Sequence, residues 1–321
     1  MKVRIGIDLG GTFIKAGAIA PDMKIVHKLI RPCDAKSGPA AVKRNLVSIW
    51  LEMREYCRRN GLTPQSLGIG SPGTIAQPSG IVADASPNIR GWKGVCLTKI
   101  FGEIDIPVYA DNDANCASLA EYLCGLGGKY HDIIFITVGT GIGGGLILDG
   151  KLIRGSSFAA GEVGHMVLRH NGRLCKCGRR GCLEAYASVP NMMIEAKADF
   201  HRCGLRLPEI LTPESLYEAF KKGNRAAAMT IGRNVDYLGN ALASLVNLLN
   251  PQAIIIGGGF SQAGSEYIKM IADVISKRAF TAATRKLKVM RARLGNDAGF
   301  IGASLLCRVK QDGLIDVRKS K

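Results

Sequence analysis

Two stretches of this chain repeat one pattern: an apolar run, a tight turn of glycine and threonine, and a second apolar run. In the first, residues 3–8 read as a strand, Leu9-Gly10-Gly11-Thr12 as the turn and residues 16–20 as the returning arm. In the second, residues 131–138 lead into Gly139-Thr140-Gly141-Ile142-Gly143-Gly144-Gly145, and residues 146–149 return. Glycine lets the backbone approach a ligand closely, and amides beside a hydroxyl can hold a phosphate oxygen. Either turn alone reads equally well as a plain hairpin. Together they read as an internal duplication of a phosphate-gripping element. With 321 residues, enough for one large core or two medium ones, two lobes are the expectation.

A second constraint is the segment 161–184, GEVGHMVLRHNGRLCKCGRRGCLE. Cys175, Cys177 and Cys182 stand at C-x-C-x4-C with His165 upstream, four soft or borderline donors that suit tetrahedral zinc. Gly178 and Gly181 flank the turn between the second and third cysteines, where a knuckle must fold tightly. Protein fills all four positions, so the expected metal is structural rather than catalytic. Such a clamp would hold Glu162 and Glu184 in fixed relation, as a binding site requires. The alternative, buried free cysteines beside a surface histidine, sits poorly with donors so closely spaced.

The remaining elements are those of an α/β chain. Residues 40–60 have the pattern of an amphipathic helix stopped by Gly61, and residues 67–70 that of a short buried strand leading into Ser71-Pro72-Gly73. Asn88, in the polar loop Pro87-Asn88-Ile89-Arg90-Gly91-Trp92, can donate and accept, which suits a sugar hydroxyl as well as an ordinary turn. After a strand at 106–110, Asp111-Asn112-Asp113-Ala114-Asn115 opens a helix reaching about Cys124. These side chains serve equally as helix caps or as a catalytic base beside a hydroxyl binder. Ile231, Val235, Leu238, Leu242, Leu245 and Leu249 keep helical spacing up to Pro251. An apolar strand at 253–256 precedes Gly257-Gly258-Gly259, whose bare backbone could accommodate a flat adenine and its ribose. A helix at 265–277, a strand at 286–290 and a final helix over residues 298–309 follow. Asp8, ending the first strand, is placed to meet a magnesium ion or its water.

Composition excludes little beyond this. A formal charge of +17 is compatible with nucleic acid, with an anionic substrate such as a nucleotide, or with solvated helix faces and a basic tail. Seven of the ten cysteines (Cys33, Cys57, Cys96, Cys116, Cys124, Cys203 and Cys307) are scattered without pattern, as free thiols in a reducing compartment would be. No apolar run approaches the ~20 residues needed to cross a bilayer, and MKVRIGIDLGG enters a strand directly, so a cytoplasmic protein is expected.

Taken together, Asp8-Leu-Gly-Gly-Thr12, Asn112-Asp113-Ala114-Asn115, Gly139-Thr140-Gly141-Ile142-Gly143, Glu162-Val-Gly-His165 and Cys175-Lys-Cys177-Gly-Arg-Arg-Gly-Cys182-Leu-Glu184 resemble the ROK (repressor, ORF, kinase) sugar kinases, most nearly the bacterial ROK-type glucokinases. The resemblance implies an α/β, two-lobed actin-like ATPase (ribonuclease H-like) fold with its active site in the interlobe cleft. Residues 1–110 with 297–321 would form the N-terminal lobe, and residues 111–296 the C-terminal lobe. It implies that Asp113 is the catalytic base and that Asn88, Asn112, Glu162, His165 and Glu184 hold the sugar. Gly10, Gly11, Thr12, Thr140, Gly141, Gly258 and Gly259 would serve the nucleotide, and Asp8 a magnesium ion through water. His165, Cys175, Cys177 and Cys182 would bind zinc, His165 offering its other ring nitrogen to a hydroxyl. The implied reaction moves the γ-phosphoryl group of ATP to the 6-hydroxyl of a hexose, with magnesium and structural zinc as cofactors. Glucose is the first expectation, because the segments 88–92 and 161–165 look glucokinase-like; N-acetylmannosamine, fructose and allose are the alternatives. No nucleic-acid or membrane partner is expected, and a homo-oligomer, dimer or tetramer, is.

Two other classes compete. ROK repressors carry a helix-turn-helix segment before the first glycine turn; with that turn starting at Asp8, a kinase is the expectation. A zinc-ribbon nucleic-acid module would need a second paired-ligand half or stacking aromatics, and aromatics make up only 6% of the chain.

Overall fold

In the computed structural model, Val3, Ile5, Ile7 and Leu9 are each no more than 1% exposed, the period of two that makes residues 2–9 a strand buried on one face. The structure describes residues 1–84, 89–126, 128–259 and 264–317. In chain order the strands are β1 (Lys2–Leu9), β2 (Phe13–Ile19), β3 (Ile25–Pro32), β4 (Thr63–Ser71), β5 (Thr74–Ala76), β6 (Ile81–Asp84), β7 (Val108–Asn112), β8 (Ile133–Val138), β9 (Ile142–Leu148), β10 (Lys151–Ile153), β11 (Ala253–Gly257) and β12 (Lys288–Arg291). The helices are α1 (Pro39–Arg59), α2 (Asp113–Ala120), α3 (Glu184–Ala187), α4 (Val189–Arg202), α5 (Pro213–Lys221), α6 (Arg225–Leu249), α7 (Ser265–Arg278), α8 (Thr281–Thr284) and α9 (Ala298–Ser304). No helix among the described residues is long and apolar enough to cross a membrane.

The sheets repeat one another. One runs β3-β2-β1-β4-β7, the other β10-β9-β8-β11-β12. In each, three strands consecutive in sequence sit at one side and crossover strands extend the other, with β1, β4 and β7 parallel in the first and β8, β11 and β12 parallel in the second. The duplication read from the glycine turns therefore extends to whole sheets.

Two compact units form, Met1–His131 with Gly145–Gly161 and Asn296–Lys321, and Asp132–Gly144 with Glu162–Gly295. The expected division put residues 111–296 together, whereas residues 111–131 and 145–161 group with the first unit. Packing accounts for it. Helix α2 crosses α9 so closely that a Cβ on Gly302 would lie 1.7 Å from the Cys116 carbonyl oxygen, and a Cβ on Gly145 would lie 2.6 Å from Ser118. Strand β9 starts at Ile142 and takes in Gly143, Gly144 and Gly145, which the sequence reads as turn; at Gly145 the closeness of Ser118 leaves no room for a side chain.

Within the first unit, α1 buries Val42, Leu46, Ile49, Trp50, Met53 and Cys57. The chain leaves that helix through Asn60 and Gly61, whose φ of +63° is the left-handed geometry glycine tolerates. In the second unit α6 buries Ile231, Val235, Leu238, Leu242 and Leu245, and Asn250 at φ 45° turns the chain out of it before Pro251. Helix α2 stops at Ala120, followed by a wider π turn at Glu121–Gly125, and α9 passes into a short 3-10 turn at Leu306–Arg308.

Candidate active site

In the first unit the strand ends bring acids together. Register aligns Asp8 of β1 with Gly70 of β4, and Gly70 with Asp111 of β7. Gly70 has no side chain to fill the middle of that row, and a Cβ there would touch the Cys116 sulfur at 3.2 Å and the Asp113 Cα at 3.5 Å. The start of α2 thus rests against the sheet, and Asp113 enters the electrostatic surroundings of Asp8. Burial, and then the negative charge of Asp113, push the Asp8 carboxyl up to about 7, against the opposing pull of Lys15, its cross-strand partner on β2. Burial also raises Asp113, partly countered by backbone N–H groups that favour the carboxylate.

The five residues from Asp111 to Asn115 divide the labour. Asp111, 1% exposed, accepts from Arg154 Nη2 at 2.7 Å and Nε at 2.8 Å, from Asn115 Nδ2 at 3.0 Å and from the Asn112 amide at 2.8 Å. With its oxygens so engaged it is a structural anchor. Asn112 is the N-cap: its Oδ1 accepts from the amides of Ala114 (2.9 Å) and Asn115 (3.2 Å), and its Nδ2 donates to the Gly73 carbonyl at 3.0 Å. The other Nδ2 hydrogen has no protein partner among the described residues. Asp113 Oδ1 accepts from the Ala114 amide at 2.9 Å, which orients the carboxylate, and Oδ2 has no protein partner among the described residues. Of the two alternatives in the sequence, the capping falls to Asn112, while the Ala114 amide orients Asp113. In the turn joining β1 to β2, Gly10 donates to the Phe13 carbonyl at 3.0 Å, while Gly11 and Thr12 are exposed.

The second unit holds the cysteine knuckle. Hydrogen bonds from Leu168 to Gly181 (2.8 Å) and from Leu183 to Met166 (2.9 Å) bring the two arms of the segment side by side. Gly178 turns the chain at φ +82°, and Gly181, at φ +85°, lies so close to the Arg169 carbonyl that a Cβ would stand 1.9 Å from its oxygen. One donor atom each from His165, Cys175, Cys177 and Cys182 lies within 4.8 Å of the others. The sulfurs of Cys177 and Cys182 are 3.7 Å apart, and Cys175 Sγ is 3.9 Å from His165 Nδ1. An ion with bonds of ~2.3 Å to sulfur in tetrahedral geometry separates its donors by roughly 3.8 Å, so the residues fit zinc. Burial and the neighbouring thiols push Cys182 up to about 12, and a cation bound among such thiols offsets that resistance to deprotonation. Nδ1 of His165 faces the cysteines, while its Nε2 lies 3.9 Å from Glu162 Oε2.

Glu184, directly after the last cysteine and its neighbour leucine, accepts the Ile142 amide hydrogen on Oε2 at 2.8 Å. This joins the knuckle to the second glycine turn, where Thr140 is exposed. Gly258, at φ +90°, would place a Cβ 2.2 Å from the Val138 carbonyl oxygen, so backbone packing alone already demands glycine there; a Cβ on Gly259 meets nothing within 4 Å among the described residues. Asn88 lies outside the described residues. The sequence reading missed the anchoring of Asp111 by Arg154, for which no local signal exists, and the pairing of Lys15 with Asp8, which the hairpin register could have supplied.

The chain is similar to known proteins over nearly its whole length. A glucokinase from Thermotoga maritima is 34% identical over 317 residues, covering 96% of this chain and 98% of that protein. A xylose repressor from Caldicellulosiruptor bescii is 36% identical over 310 residues, covering 93% of this chain and 76% of the repressor. The crystal structure of a ROK family glucokinase from Streptomyces griseus in complex with glucose and AMPPNP aligns with a TM-score of 0.80 at 30% identity, over 95% of this chain and 98% of that one. Residues 4–310 match the ROK family as a whole. With the duplicated sheets, the oriented Asp113 and the knuckle in one chain, that match makes the protein a member of the ROK family with the actin-like ATPase fold.

Proposed function

We propose that this protein is an ATP-dependent hexokinase of glucokinase type, transferring the γ-phosphoryl group of ATP to the 6-hydroxyl of glucose. The observation that carries the reading is the state of Asp113: one oxygen held by the Ala114 amide, the other without a protein partner among the described residues, and a carboxyl raised by burial, as suits a general base. As the sugar oxygen bonds to the γ-phosphorus, its proton passes to Asp113 and ADP leaves with the electrons of the broken P–O bond. Positioning and charge stabilisation supply most of such a catalysis, because the phosphoryl group itself undergoes little covalent chemistry with the protein.

In this reading Asn88, Asn112, Glu162, His165 and Glu184 hold the hexose. Gly10, Gly11, Thr12, Thr140, Gly141, Gly258 and Gly259 serve the nucleotide. Magnesium bound near Asp8 would neutralise phosphate charge, and the like-charged neighbour Asp113 makes that position favourable to a cation. Zinc held by His165, Cys175, Cys177 and Cys182 would brace Glu162 and His165 from one side of the knuckle.

A coupled ADP assay over glucose, N-acetylmannosamine, fructose and allose tests this, with phosphorus NMR of the product to locate the phosphate. The expected result is the highest kcat/KM on glucose and a 6-phosphate product. The repressor relative supports a second reading, a sugar-binding regulator; absence of phosphorylation on every sugar, together with sugar binding and a DNA gel shift, would favour it.

A further inference from the structure

We propose that Glu184 is a positioning residue for the second glycine turn, tying the backbone of residues 139–142 to the cysteine knuckle and so setting nucleotide affinity. Four contacts within the second unit converge on this. Glu184 Oε2 accepts the amide hydrogen of Ile142, a buried residue, at 2.8 Å. Gly141 lies against the same carboxylate, so that a Cβ there would stand 2.5 Å from Oε2. On the other side of the Ile142 peptide, a Cβ on Gly164 would stand 2.1 Å from its carbonyl oxygen. Finally, Val189, five positions after Glu184, donates to the Gly139 carbonyl at 2.9 Å and holds the opposite end of the turn.

The anchor is itself fixed. Leu183 donates to Met166 at 2.9 Å, Asn191 Nδ2 donates to the Glu184 carbonyl at 3.0 Å, and Glu184 Oε1 lies 3.9 Å from Cys175 Sγ. A turn that presents amides to phosphate works only if those amides are already oriented, because reorientation on binding subtracts from affinity. The sugar role proposed above would fall to Oε1, since Oε2 is committed to Ile142. One carboxylate thus faces the sugar with one oxygen and holds the phosphate turn with the other, so nucleotide affinity depends on a residue that acts through the turn backbone.

This inference rests on the reading of residues 139–145 as a phosphate turn. The test therefore pairs binding with a measurement that needs no nucleotide. Affinity for β,γ-imido-ATP with magnesium is measured calorimetrically without sugar, and amide hydrogen exchange is followed in a peptide covering residues 139–145. The variants are Glu184→Ala, Glu184→Gln and Thr140→Ala. Loss of a charged acceptor for a buried amide should weaken nucleotide binding by roughly tenfold or more in Glu184→Ala and accelerate exchange in the turn. Glu184→Gln keeps an acceptor oxygen and should stay within about threefold in affinity, with near-native exchange. Native affinity and exchange in Glu184→Ala, or equal damage in Glu184→Gln, overturns the proposal. If the wild type binds no nucleotide, the phosphate-turn reading fails and with it the effect on affinity, while exchange still decides whether Glu184 holds the turn.

Discussion

Arg154 grips a single oxygen of Asp111 with two nitrogens, Nη2 at 2.7 Å and Nε at 2.8 Å, where the carboxylate is almost wholly buried. The other oxygen of Asp111 takes the Asn112 amide and the Asn115 side chain, so the arginine indirectly fixes the first turn of α2. Arg154 comes from the strand-to-loop connection after β10, far along the chain from the acid it holds. Removing one partner of a buried pair strands the other charge, which is the costly way to break it.

Arg154→Met is accordingly expected to cost about 3–5 kcal/mol of stability and to lower Tm by several degrees. Residual enzyme should also lose kcat, because Asn112 and Asp113 follow directly after the freed carboxylate. Urea unfolding with steady-state kinetics checks both; a variant as stable as wild type would show that the pair contributes nothing.

Asp113→Asn should bind glucose nearly as well as wild type while kcat falls by about 100- to 10,000-fold. The replacement preserves an oxygen for the Ala114 amide but cannot take a proton. Turnover within about tenfold of wild type would remove Asp113 from the role of base.

Purified protein should carry one zinc per chain, with the metal content lost in Cys177→Ser or Cys182→Ser and Tm lowered in both and on chelation. Elemental analysis and thermal unfolding are sufficient. Metal-free protein with unchanged Tm would leave the knuckle as a hydrogen-bonded loop only.

Asp8 gives a pH dependence with a definite sign. Its folded carboxyl titrates near 7 against a usual value of 3.8, so the folded chain holds this proton more tightly than the unfolded one. The associated stability is fully present below the unfolded value and is lost as pH rises through about 7. Asp8→Asn, which cannot ionise, should therefore gain on the wild type between pH 5 and pH 8. The gain should be on the order of 1–3 kcal/mol, below the full shift because the group is only half-buried. Thermal unfolding in chelator across that range is the measurement, and a pH-independent difference would contradict the assignment.

The elements were legible wherever a local rule sufficed. Alternating Val3, Ile5, Ile7 and Leu9 specify a strand, the spacing from Ile231 to Leu249 a helix, and four donors around two glycines a knuckle, since each depends on residues a few positions apart. The repeat of glycine turns likewise carried the duplicated sheets. Boundaries near the candidate site were less legible, for a physical reason. Gly143, Gly144 and Gly145 lie in a strand, and only packing shows that Ser118 leaves no room for a side chain at Gly145; residues 111–131 group with the first unit because Gly302 lets α9 touch α2. Nothing near Arg154 in the chain indicates that it meets Asp111, and nothing near Glu184 that it accepts from Ile142. The chemistry of each donor is written in its own residue type; which buried charge it answers is decided only when distant segments pack together and water is removed from between them.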